Sequence, residues 1–143
     1  MSLNVLEGLI AGVWLGGYLF TTFVVSPALE SLPLGDAERI RARSAIGRRY
    51  GKLAGPLLLV WLAVLLSQGF ETWTLARLGL LIVLAAVVGL HGYLIGSRMQ
   101  ALAERKTAGA TVAQDLTTLR QLSARITPVA LVVSLLLAVL TLL

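Results

Sequence analysis

Apolar and polar positions in this chain come in long blocks. Residues 6–26 read LEGLIAGVWLGGYLFTTFVVS, with Glu7 at the outer end as the only charge. A helix of that length covers about 31 Å, close to the hydrocarbon thickness of a bilayer, so the block predicts a membrane span. Blocks at 53–70, 75–96 and 126–143 predict three more. The second is short; Gln68 and Phe70 carry its end to the interface, and Pro56 near its start is tolerated in a first helical turn. Between the first two spans, Pro27 and Pro33 break the helix. Asp36 then suits the N-cap of a short amphipathic juxtamembrane helix that reaches about Tyr50 and lies along the headgroups. Residues 70–73 read as a tight turn with an interfacial tryptophan. The third helix is expected to leave the membrane past Arg98 and run to about Lys106. A polar turn at 107–110 follows, and a new helix from near Thr111 enters the last span with a kink at Pro128. The fold class is all-α: an integral membrane four-helix bundle, with residues 1–143 as a single transmembrane domain.

Small residues add a second pattern. Gly8, Gly12 and Gly16 fall four apart on the first span, and Ala85 with Gly89 and Gly92 with Gly96 do so on the third. Faces without side chains let another helix approach closely, so these glycines are candidate helix-packing positions, and helices one and three are expected to form the tightest pair. Whether the first stripe meets its own bundle or another subunit stays open.

Composition agrees with this reading. Of the 143 residues, 57% are hydrophobic and 13% charged, and the mean hydropathy is +0.88, too apolar for a soluble domain of this size. Residues 1–7 lack a basic n-region and no small-residue cleavage site follows, so the first block is expected to stay as a span. With no cysteine, disulfides, thiolate metal sites and cysteine nucleophiles are excluded. The net charge of +5 would suggest nucleic acid in a soluble protein, but here the charges flank spans. Anionic lipid headgroups are the expected counter-charge and nucleic acid is not an expected partner.

Charge also predicts orientation. Arg39, Arg41, Arg43, Arg48, Arg49 and Lys52 lie in the first connector and Arg98, Arg105, Lys106, Arg120 and Arg125 in the third, against Arg77 alone on the other side. The positive-inside rule then places both connectors in the cytoplasm and both termini outside (N-out/C-out), in the inner cell membrane. Arg77 is expected to snorkel outward.

Few residues suit chemistry. His91, the only histidine, lies in the third span: an intramembrane ionisable group is a functional candidate, as a proton-coupling residue or haem ligand. The plainer reading is a neutral ring bonded to Tyr18, Thr21 or a backbone carbonyl. Tyr18, Thr21, Thr22, His91 and Thr127 form a candidate polar site, although threonines in spans commonly bond back to their own helix. Arg48, Arg49, Lys52, Arg98 and Arg125 form a candidate anion or headgroup site, against a plain reading of topology and snorkelling. No metal ligand set and no serine, histidine and acid arrangement is expected, so no catalytic residue is assigned.

The run from Ala11 through Trp14, Gly16, Tyr18 and Phe23 to Pro27, then Ser31, Pro33 and Arg49 with Tyr50, resembles the start of proteins similar to transmembrane protein 205. Ser97, Arg98 and Leu119 to Gln121 extend the resemblance. It implies a four-helix bundle and a loose link to efflux or stress tolerance. His91 stands where that family tends to have asparagine, and its polar series in the fourth span corresponds to Thr127, Ala130 and Ser134. More distantly, the first span resembles copper-resistance D and HemJ-type protoporphyrinogen oxidase bundles, which would carry a first-helix histidine that this chain lacks.

The expected function is therefore a non-enzymatic membrane homo-oligomer that binds or passes a small solute or lipid, with no cofactor. The alternatives are a haem- or porphyrin-binding oxidoreductase using His91, and an assembly subunit of a larger complex.

Overall fold

The computed structural model describes residues 2–107 and 113–142. The described residues are helical almost throughout. Helix α1 (Leu3–Phe20) runs through one π-helical turn (Thr21–Val25) into α2 (Ser26–Ser31), and α3 spans Asp36–Ser67. Helix α4 (Thr72–Gly89) likewise passes through a π-helical turn (Leu90–Ile95) into α5 (Gly96–Thr107), and α6 covers Ala113–Leu142. These make four rods, each long and apolar enough to cross a membrane. The turn expected at 108–110 and the helix start near Thr111 lie outside the described residues.

The juxtamembrane segment does not lie as a separate helix along the headgroups. Residues from Asp36 run without a break into the second span, and Pro56 sits inside α3 rather than in a first turn. An α3 of 32 residues is about 48 Å long, well beyond the roughly 30 Å hydrocarbon core. Its basic half therefore exceeds what one span needs and forms a stalk. Pro56 removes one donor, to the Lys52 carbonyl, and that carbonyl lies at the basic, exposed end of the span. The stalk has a small core of its own, where Ile40 is buried against Met99 and Leu102 of α5, and the Arg48 side chain donates to Gln100.

Arg39 closes the end of the first rod. Its Nε donates to the Leu29 carbonyl at 3.3 Å, one that the helix end leaves unpaired, and its Nη2 to the Leu34 carbonyl of the following loop at 3.1 Å. Glu38 Oε2 accepts the Gly35 N–H at 3.1 Å at the start of α3. At the other end of α3, Gly69 turns the chain with φ +87°, a conformation that costs glycine little.

Helix α1 packs on α3 and α6, and α4 packs on the same two neighbours. Helices one and three are thus diagonal: α1 and α4 make no close backbone pairing among the described residues, contrary to the tight pair that their glycines suggested. The reason is azimuth. A Cβ added at Gly8, Gly12, Gly16, Gly89 or Gly92 would meet nothing within 4 Å, and one at Gly96 only its own helix, at the His91 carbonyl. Gly17 is the exception, with Tyr50 Cε2 3.3 Å from its would-be Cβ. Large side chains fill the middle instead: Trp14, Trp61, Leu65, Leu84 and Leu137 are at most 1% exposed.

Candidate functional site

Three polar layers cross this apolar bundle. The first lies at the end that carries the start of α1 and the end of α6. Glu7 is 0% exposed, and side chains from the other three rods converge on its carboxylate. Arg77 Nη1 (α4) and Gln68 Nε2 each donate to Oε2 at 2.8 Å. Trp61 Nε1 (α3) approaches Oε1 at 3.4 Å. The Thr141 hydroxyl (α6) lies 3.1 Å from Oε1 and 2.9 Å from the Leu137 carbonyl, and shares its single proton between them. Arg77 therefore turns inward rather than snorkelling out; its side chain is 15% exposed, and its buried Nε finds no partner among the described residues. Burying an ion pair carries a desolvation cost that only close geometry and further hydrogen bonds offset, and this cage supplies both.

The charge count puts Glu7 and Arg77 on the same side of the membrane, at the starts of the first and third spans, but nothing in the sequence pairs them. The signal was present, since Glu7, Ile10, Ala11 and Trp14 follow helical spacing and are the buried residues of α1. The carboxylate belongs to the stripe of Trp14, not to that of the glycines.

The second layer is central. Trp14 Nε1 donates to Ser134 Oγ at 3.0 Å, and Ser134 passes its own proton to the Ala130 carbonyl at 2.7 Å. The Trp14 ring also meets Tyr50, with centroids 6.2 Å apart at 52°. Two of the three fourth-span positions singled out by resemblance thus serve the first helix: Ser134 through the Trp14 indole, and Thr127 through its carbonyl, which accepts the Tyr18 hydroxyl at 2.9 Å.

The third layer contains His91. Its Nε2 lies 2.7 Å from Ser123 Oγ, a residue that the sequence does not single out; among the described residues its partner is neither Tyr18 nor Thr21. A single serine in an amphipathic stretch carries no distinguishing pattern. Thr127 Oγ1 donates to the Ser123 carbonyl at 2.9 Å and Thr21 Oγ1 to the Gly17 carbonyl at 2.7 Å, so both hydroxyls do bond back to their own helices. Thr22 is partly exposed. The proposed polar site is therefore divided: Tyr18 and Thr127 meet, His91 meets Ser123, and Thr21 serves its own rod. The first and third rods each widen by one turn, where the Ser26 and Gly96 N–H groups reach back five residues to the Thr21 and His91 carbonyls, and the second of these turns holds His91 itself. Turns of this kind recur at functional sites.

Charge collects at the opposite end from Glu7. Arg43 pairs with Glu30 at 2.7 Å and Arg120 with Asp36 at 3.6 Å, while Arg49, Lys52, Arg98 and Arg125 are exposed. The candidate headgroup residues thus share one end of the molecule, with Arg48 already engaged by Gln100. No group of three or more His, Cys, Asp or Glu side chains that would suit a metal occurs among the described residues.

Four apolar rods joined by buried polar layers define a multi-pass membrane protein with an all-α bundle. The chain belongs to the family described as "Domain of unknown function (DUF4149)", whose profile matches residues 9–108. Searches of curated proteins and of solved structures found no match.

Proposed function

We propose that this protein works as a homo-oligomer that binds or passes a small solute or lipid along helix surfaces between bundles, without enzymatic chemistry. One observation carries the reading: the bundle interior is closed by bulky side chains, while Gly8, Gly12, Gly16, Gly89 and Gly92 face outward with open space above them. In lipid, close backbone approach and dispersion drive helix association, so bare helix faces gain most when another helix or an acyl chain covers them. The efflux-type role implied by resemblance to transmembrane protein 205 agrees with a route of this kind. His91 offers a haem less, because Ser123 already holds its Nε2.

Gly12→Leu tests the reading. A Cβ here meets nothing within 4 Å and the position is exposed, so the fold should be kept and the oligomer should split, as read by light scattering in detergent. An unchanged mass would remove the role of this face.

Both termini are proposed to lie outside the cell and the basic stalk in the cytoplasm. The chain has no cysteine, so single cysteines report cleanly. Glu71→Cys should react with an impermeant maleimide on intact cells and Glu104→Cys should not; the reverse pattern overturns the orientation.

A further inference from the structure

Where α5 and α6 part, Arg98, Leu102, Arg105, Asp115, Thr118 and Leu119 line an open cleft. Several other arginines are engaged: Arg39 on carbonyls, Arg43 on Glu30, Arg77 on Glu7 and Arg120 on Asp36. Arg98 and Arg105 have no ion-pair partner among the described residues, although Asp115 borders the same cleft. Seven residues apart, they share a face of α5 about 10 Å apart along the axis.

Depth favours a membrane ligand. Arg77 and Arg98 are separated by 21 residues of one nearly continuous rod, about 32 Å, so an ion pair at one hydrocarbon boundary puts Arg98 at the other. Helical side chains tilt toward the N-terminus, and the N-terminus of α5 is its membrane end, so Arg105 leans back toward the headgroups. Two guanidinium groups suit phosphate oxygens, which they take in forked hydrogen bonds. The carboxylate suits a cation beside that phosphate. Thr118 adds to it, because its proton goes to the Gln114 carbonyl at 3.1 Å and leaves the oxygen to accept.

We propose that this cleft recognises a phosphoethanolamine headgroup: Arg98 and Arg105 hold the phosphate, Asp115 and Thr118 the ammonium, and Leu102 and Leu119 the apolar part next to it. The proposal deepens the lipid-binding reading above and rests on it.

Native mass spectrometry of the purified full chain tests it, titrating phosphatidylethanolamine, phosphatidylglycerol, soluble phosphoethanolamine and inorganic phosphate. Wild type should bind the ethanolamine lipid about threefold more tightly than the glycerol lipid, the worth of one exposed charged contact. Arg98→Gln/Arg105→Gln should weaken both lipids by about tenfold or more, whereas Asp115→Asn should remove only the preference. All three positions are exposed, so folding should survive. Soluble phosphoethanolamine binding as tightly as the lipid would support the site and assign it to a soluble ligand. Inorganic phosphate alone matching the lipid, or no effect of Asp115→Asn, would overturn the ethanolamine assignment. Lipid retained equally by wild type and the double variant would overturn the cleft alone; a wild type that binds no lipid would overturn the broader reading as well.

Discussion

Arg77→Met should destabilise the bundle by about 3–5 kcal/mol, seen as a marked fall in melting temperature in detergent. The loss follows from what remains. Glu7 would stay fully buried with three neutral donors and no cation, and an isolated charge in such surroundings costs more than the pair gained by forming. Glu7→Gln should also destabilise, by leaving the Arg77 guanidinium without its counter-ion. The informative variant is the double one. Glu7→Gln with Arg77→Met buries no charge, keeps a hydrogen-bonding amide for Gln68 and Thr141, and should recover most of the loss of either single change. Additive losses would contradict the cage, and so would single variants as stable as wild type.

Trp14→Ala should have a comparable effect, about 3–5 kcal/mol. Its indole is 1% exposed and sits between Tyr50 and Ser134, so truncation opens a cavity bordered by three rods. Within lipid the loss comes chiefly from forfeited dispersion contacts, since acyl chains are as apolar as the core. Trp14→Phe separates packing from hydrogen bonding. It keeps most of the volume, and Ser134 keeps its bond to the Ala130 carbonyl, so the cost should fall to about 1 kcal/mol. Equal melting temperatures for the two variants would show that the indole N–H, not the ring volume, matters.

These two positions also mark where sequence reading ran out. Four spans were legible because length and hydropathy record depth in a bilayer, and only helices satisfy their backbone there. Azimuth was less legible. Gly8, Gly12 and Gly16 mark a bare face, but nothing in their spacing says whether a helix of the same chain covers it, and among the described residues none does. Glu7 and Arg77 each look like a charge at the margin of a span. Only the up-and-down packing, which sets α1 and α4 parallel across a diagonal with both starts at one end, brings them to 2.8 Å. The break expected before the second span failed for a different reason: proline removes one hydrogen bond, whereas ending a helix exposes several backbone groups near the membrane.

His91 illustrates a partial success. It was legible as a polar group at depth that needs a partner, yet the partner came from α6 through Ser123, in a stretch whose pattern is amphipathic and unremarkable. Pairwise contacts between rods depend on rotation and register, which hydropathy does not encode.

The most direct test of the account is the native mass of wild-type protein in mild detergent beside Gly12→Leu. An oligomer carrying phospholipid for wild type, with a folded, smaller species for Gly12→Leu, is the predicted result. A lipid-free monomer for both would contradict an assembly that works along its outer helix faces.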